Sequence, residues 1–235
     1  MSNLSDPIPI SSIPSLNKGL TSASEATMAA ILGRPRGPLT TDCRNDQASA
    51  LVSRLMETRR MTGNFGLTGI KPALDSAEVA LTQVKNLHPD LIEELRAEGM
   101  LCVRHRKPTS GEPSLLISNH SWGTAVDFRL NGSEAPGNTG STVPRWLAIL
   151  IPFFNQAGWY SGVGFTARDA MHFEVADETI RRWQHDGLLG APQPETPIVV
   201  AEQNAGARAP SAEDAAPKAL LKPFTEFFSR LFGSA

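Results

Sequence analysis

The sequence predicts an α+β domain, and three observations predict it. Apolar residues recur at helical spacing through the first hundred positions, the period then shortens to that of strands, and one long apolar helix separates the last two strand-like stretches. The expected antiparallel sheet is built from about Met100–His105, Leu115–Ser118, Thr124–Arg129 and Ala170–Ala176.

The elements follow in order. MSNLSDPIPISSIPSLNKGL is rich in proline and serine, so residues 1–21 are expected to form an extended, poorly ordered arm. Ser22-x-x-Glu25 reads as a capping box before ATMAAIL, and Gly33 suits the position after a helix end, giving a short helix over Ala23–Leu32. After a loop, Asp46–Met61 reads as a second helix with Leu51, Val52, Leu55 and Met56 on one face. Arg59 and Arg60 stand at its C-terminal end, where the macrodipole favours cations. TGNFGLTGIKP is punctuated by glycine and should hold a short extended piece.

Ala73–Leu87 carries Ala77, Ala80, Leu81, Val84 and Leu87 at helical spacing. Pro89–Glu98 is a further helix, with proline at its start and Gly99 past its end. MLCVRHR switches to a strand, and KPTSGEPS is a loop. Pro144 opens the apolar helix RWLAILIPFFNQAGW, which Pro152 should kink or break. Asp177 should cap a last helix, ETIRRWQHD, closed by Gly187.

The chain has 235 residues, 40% of them hydrophobic, and a formal charge of −2. That supports one sizeable domain over residues 22–190 and gives no basic excess for nucleic acid. Two cysteines, Cys43 and Cys102, cannot form a disulfide framework; one bridge is open to them, and buried free thiols are expected. No apolar run reaches the roughly 20 residues that span a bilayer.

Beyond Gly190 the composition changes. Residues 191–216 are rich in Pro, Ala and acidic side chains with little to bury, which describes a linker. In residues 217–235, Leu220, Leu221, Phe224, Phe227, Phe228, Leu231 and Phe232 fall on one helical stripe, with Lys218, Lys222 and Arg230 off it. Such an amphipathic helix on a tether is expected to meet a membrane surface through residues 217–233, or a carrier or secretion partner, or to dock on the domain itself.

The stretch that carries chemistry is SNHSWGTAVDF, Ser118 to Phe128, completed by DAMHFEVA from Asp169. His120, Asp127 and His172 supply two imidazoles and a carboxylate, a ligand set that suits Zn²⁺ and leaves one position open to a water whose pKa the metal lowers towards about 7. Asp169, three positions before His172, is placed to act as a base on that water. Strand alternation puts His172 and Glu174 on one face, making Glu174 a partner that orients the ligand. The same alternation groups Ala125 with Asp127 and turns Val126 and Phe128 to a core. If such a water attacks a carbonyl, a cationic donor for the developing oxyanion is also expected. Arg104 and Arg106 both offer one; Arg104 is favoured because it follows the apolar stretch directly, whereas Arg106 leads into a loop.

Read as S-x-H-x-x-G-x-A-x-D followed by D-x-x-H-F-E, the chain resembles the LAS or M15 family of zinc peptidases: D-Ala-D-Ala carboxypeptidases, dipeptidases and phage L-alanyl-D-glutamate endopeptidases. The resemblance covers about Gly63 to Trp183. It implies the Hedgehog/DD-peptidase-like fold, one zinc ion on His120, Asp127 and His172, Asp169 as catalytic base, an arginine before the serine, and Ser118 facing substrate. The substrate it implies is the stem peptide of bacterial peptidoglycan. An L-Ala–D-Glu endopeptidase is expected before a D-Ala-D-Ala carboxypeptidase, and a non-catalytic wall-binding module is the alternative of another class. The first twenty residues have no positive leader followed by an unbroken apolar core, so no Sec-type signal peptide is expected. Delivery to the wall is therefore expected through holin pores, an injection apparatus or a co-exported partner.

Overall fold

The computed structural model describes residues 3–107 and 114–190, which fall within a compact unit, Met1–Gln193. The expected linker and amphipathic helix, residues 191–216 and 217–235, lie outside the described residues.

The N-terminal segment is not a loose arm. β1 (Pro7–Pro9) pairs antiparallel with residues 142–144, Ile13 is buried, and Asn17 takes part in a network with Asn155 and Ser161. Proline fits an edge strand, where its missing N–H leaves no hole in a ladder. α1 (Glu25–Leu32) starts one turn-position later than expected, because Ser24, not Ser22, caps it by accepting from the Thr27 amide at 3.0 Å. The Ser22 hydroxyl is engaged elsewhere.

The second predicted helix is cut short. α2 (Ala50–Leu55) gives way to β2 (Met56–Arg60), which forms a hairpin with β3 (Gly66–Ile70). Asn64 and Gly63 adopt positive φ in the connecting turn, and the Thr58 and Thr68 hydroxyls meet across the strands at 2.8 Å. A paired ladder with a turn-forming tip thus overrides local helix propensity. α3 (Lys71–Leu87) buries Ala77, Ala80, Leu81 and Val84 as its spacing requires.

α4 (Pro89–Glu94) ends before Glu98, and the strand expected at Met100–His105 lies earlier, as β4 (Leu95–Gly99). The register pairs Leu95 with Leu130, both buried, which is the reward for ending the helix early. Residues 100–105 make one isolated bridge, His105 with Ile117, and the expected strand Leu115–Ser118 reduces to that contact.

β5 (Ala125–Leu130) is the central strand, followed by β6 (Thr142–Pro144), the partner of β1, and by α5 (Arg145–Gln156). α5 continues through Pro152 to Gln156, so the proline does not break it. β7 (Trp159–Ser161), β8 (His172–Val175) and α6 (Asp177–His185) complete the unit; Ala176 is the N-cap of α6, and Asp177 stands in its first turn.

The principal sheet runs β4-β5-β8-β7, every neighbouring pair antiparallel. One face of it is core. Phe128, Phe154, Phe173 and Trp159 are fully buried and stack edge-on or tilted, with centroids 4.9 to 5.8 Å apart. Aromatic contacts of this geometry add about 0.5–1.5 kcal/mol each beyond area burial. The alternation that sends Val126, Phe128 and Phe173 into this core sends Asp127, His172 and Glu174 to the other face.

The two cysteines are bridged, not free: Cys43 and Cys102 form a disulfide with Cα atoms 4.8 Å apart. They are separated by 59 positions, so nothing local in the sequence announces the pairing.

Candidate metal centre

Asp127 and His172 are directly paired residues of β5 and β8, so the antiparallel register alone sets them side by side on one face. His120 arrives from a 3-10 turn, Asn119–Trp122, that precedes β5. Trp122 anchors this turn: its ring is fully buried and its indole N–H donates to the Gly33 carbonyl at 2.8 Å. Gly123 closes the turn at φ +62, where a Cβ would stand 2.9 Å from the Gly69 Cα. The small residue beside the ligands thus admits the β3 backbone.

The donor atoms converge. Asp127 Oδ1 lies 3.3 Å from His120 Nε2 and 3.0 Å from His172 Nδ1, and the three ligand atoms all fall within 4.8 Å of one another. Donors around a tetrahedral zinc with bonds near 2.0–2.1 Å stand roughly 3.3 Å apart, a spacing that the two Asp127 separations match. His120 and His172 are 4% and 7% exposed, whereas the Asp127 side chain is 23% exposed and marks the open side.

The other ring nitrogens settle which lone pairs are free. His120 Nδ1 lies 2.9 Å from the Met100 carbonyl, which can only accept, so this nitrogen carries the hydrogen and Nε2 is left for a metal. His172 Nε2 lies 3.1 Å from Glu174 Oε2, which leaves Nδ1 for the metal. Glu174 is 2% exposed and also accepts from the Asn119 amide at 2.7 Å and the Ser22 hydroxyl at 2.5 Å. Burial alone would raise its pKa, yet His172, Ser22 and Asn119 together hold it below the usual carboxylate range.

The same balance marks the candidate ligands. Burial acts to raise Asp127, but hydrogen bonds with His120 and His172 hold it far below the ordinary range. Burial acts to lower His172, but Asp127 and Glu174 on its two nitrogens push it up to about 10. Without a metal, the ring is an imidazolium clamped between two carboxylates.

Asp169 behaves in the opposite way. It is partly buried, and desolvation together with repulsion from Asp127 raises its pKa against the pull of His172, His120 and Arg104. Its backbone is fixed: the amide donates to the Gly162 carbonyl and its carbonyl accepts from the His172 amide, each at 3.1 Å. Gly162 is the packing junction of this turn, since a Cβ there would meet the Asp169 carbonyl at 2.3 Å and the His172 Cβ at 3.2 Å.

Of the two arginines, Arg104 is the one in the field of the site. Burial lowers its pKa while Asp127 and Asp169 raise it. Its Nη1 donates to the His105 carbonyl at 3.0 Å and its Nε to Cys102 Sγ at 3.2 Å. Arg106 is exposed and reaches back to the Ile117 carbonyl at 3.4 Å. Ser118 is 6% exposed, and its amide donates to the Arg104 carbonyl at 3.1 Å.

Sequence reasoning passed over Ser22, Asn119, Met100 and Ser121. Ser121 Oγ takes the Arg104 amide and returns a hydrogen bond to the Arg104 carbonyl, both at 3.0 Å. Asn119 could have been suspected from its place beside His120; Ser22 and Met100 carry no local signal.

A profile of the M15 peptidase family described as D-alanyl-D-alanine carboxypeptidase matches residues 111–175. No curated protein matches the chain. The matched segment contains Ser118, His120, Asp127, Asp169, His172 and Glu174, so the similarity to M15 peptidases falls on the residues that build the site and supports a peptidase.

Proposed function

We propose that the protein is a zinc-dependent peptidase of peptidoglycan stem peptides. The observation that carries this reading is the convergence of His120 Nε2, Asp127 Oδ1 and His172 Nδ1, with the remaining nitrogen of each ring tied to an acceptor. A zinc ion held there supplies Lewis-acid polarisation of a peptide carbonyl and lowers the pKa of water.

The chain's own residues do the rest. Asp169 takes a proton from the attacking water and later delivers it to the leaving amine; its raised pKa brings it closer to the working pH than an ordinary aspartate. The Arg104 guanidinium offers positive charge to the carbonyl oxygen as negative charge builds there, an effect worth about 10²–10³-fold in rate. Ser118, two positions before His120, is proposed to face the substrate.

Within this class, the aspartate base and the D-x-x-H-F-E form favour cleavage between L-Ala and D-Glu. A D-Ala-D-Ala carboxypeptidase is the second reading, favoured by the description of the family that matches residues 111–175. Residues 217–233 are proposed to serve delivery, to a membrane surface or a carrier, and not catalysis. Mass spectrometry of products from purified muropeptides tests the reading: free L-Ala termini indicate the endopeptidase and loss of terminal D-Ala the carboxypeptidase. Intact muropeptides after incubation with zinc-loaded protein would refute it.

A further inference from the structure

Residues 100–105 carry two supports of the candidate site yet belong to no ladder of the principal sheet. Met100 holds His120 Nδ1 through its carbonyl, and Arg104 lies in the field of Asp127 and Asp169. On one side this segment is tied to the 3-10 turn: the Cys102 amide donates to the His120 carbonyl at 3.1 Å, and Ser121 Oγ brackets the Arg104 backbone. On the other side it rests on residues 40–45. The Arg44 amide donates to the Val103 carbonyl at 2.8 Å, the His105 amide to the Thr40 carbonyl at 2.7 Å, and Asn45 Oδ1 accepts from the Val103 amide at 3.1 Å.

Those supporting residues are held by surface hydrogen bonds and not by apolar packing. Residues 41–46 are all exposed and contribute nothing to the buried apolar core. The covalent tie between them and the site segment is the Cys43–Cys102 disulfide. One of its sulfurs, Cys102 Sγ, is itself the acceptor of Arg104 Nε at 3.2 Å. The bridge therefore fixes the segment's backbone and also contacts the guanidinium that the mechanism uses.

We propose that Cys43 and Cys102 are positioning residues, and that their bridge is an oxidative latch: the site becomes competent only once the disulfide closes. In a reducing compartment both cysteines are thiols, the 40–45 loop is free to leave, and Arg104 and the His120 support lose their fixed positions. Closure proceeds by thiol–disulfide exchange with a small-molecule disulfide. The exposed Cys43 thiolate attacks one sulfur of that oxidant and displaces a thiolate; Cys102 then attacks the Cys43 sulfur and displaces the second. The two cysteines are oxidised and the oxidant is reduced to two thiols, which take up the two protons that the cysteines lose. A wall-cutting enzyme made in a reducing cytoplasm would so be held back until it reaches an oxidising space. The part that concerns Arg104 rests on the peptidase reading; the part that concerns His120 rests on the metal site alone.

The test uses the full chain in four forms: oxidised, reduced with a phosphine, reoxidised with oxidised glutathione, and Cys43→Ser. Muropeptide hydrolysis gives kcat and KM, competition with a chromophoric chelator gives zinc affinity, and near-ultraviolet dichroism reports the fold. The reduced form and Cys43→Ser are expected to keep the dichroism, to lose about tenfold or more in kcat with KM little changed, and to bind zinc about tenfold more weakly. Reoxidation restores the wild type alone. Equal kcat and zinc affinity in oxidised and reduced protein overturn the latch, and so does loss of the whole dichroism signal on reduction, which would make the bridge a general staple. If even the oxidised protein cuts no muropeptide, the peptidase reading fails, and the zinc affinities still decide the latch at His120.

Discussion

Glu174 Oε2 lies 3.1 Å from Nε2 of His172, while the opposite nitrogen of the same ring lies 3.0 Å from Asp127. One carboxylate orients the ring and the other shares its proposed cargo. Glu174 accepts from three donors at once, and a glutamine in its place offers a single carbonyl oxygen and an amide that donates. Glu174→Gln is therefore expected to weaken zinc binding by about 10–100-fold while the sheet remains folded. Competition titration against a chelator measures it, and unchanged affinity would show that the ring needs no such partner.

The imidazolium between Asp127 and Glu174 gives a sign to the pH dependence. His172 is raised from 6.5 to about 10 in the metal-free protein. Its contribution to folding stability is therefore fully present below about pH 6.5 and is lost as pH rises through about 10. Zinc has to displace that proton, so its affinity and its stabilising effect should increase with pH across this window. Calorimetry near pH 7.5 in buffers of different ionisation enthalpy should find about one proton released per zinc bound. Release of none would mean that the ring is already neutral.

Asp169 and the two arginines separate binding from chemistry. Asp169→Asn is expected to cost about 10²–10⁴ in kcat with zinc affinity retained, because the side chain is proposed to serve proton transfer. Arg104→Ala is expected to cost about 10²–10³ in kcat, whereas Arg106→Ala, at an exposed position, should stay within about twofold of wild type. Steady-state kinetics on one muropeptide rank all three, and an Arg106 effect as large as that of Arg104 would reverse the assignment.

Why Asp127 and His172 were legible in the sequence as one candidate cluster is a matter of distance. Ala125, Asp127, His172 and Glu174 lie on strands whose two-residue alternation fixes their face, and that alternation is written locally. Antiparallel pairing then turns two local patterns into one cluster. What was not legible depends on contacts across the chain. Met56–Arg60 reads as helix until its partner Gly66–Ile70 is known, and Leu95–Gly99 until it meets Leu130. Ser22 caps nothing because Glu174, 152 positions away, takes its hydroxyl. The Cys43–Cys102 bridge belongs to the same class, as does the choice between Arg104 and Arg106, which rests on the fields of Asp127 and Asp169.

Gly162 gives the sharpest steric prediction. It opens the buried turn that follows β7, at the point where the chain doubles back to present Asp169 and His172. A methyl group added there would stand 2.3 Å from the Asp169 carbonyl and 3.1 Å from the Phe165 ring. The first contact is with backbone, so a rotamer change cannot relieve it; the Asp169–His172 turn has to move by several tenths of an ångström. Positioning errors of about 1 Å cost on the order of 10²-fold in rate. Gly162→Ala is therefore expected to lower kcat by about 10–100-fold and to weaken zinc binding, while Gly187→Ala, with nothing within 4 Å of the added Cβ, leaves both unchanged. Because Gly187 has φ +72, that second variant should lose about 1 kcal/mol of stability, so thermal unfolding distinguishes a strained backbone from a displaced site. Wild-type kinetics in Gly162→Ala would show that the turn yields without disturbing Asp169 or His172.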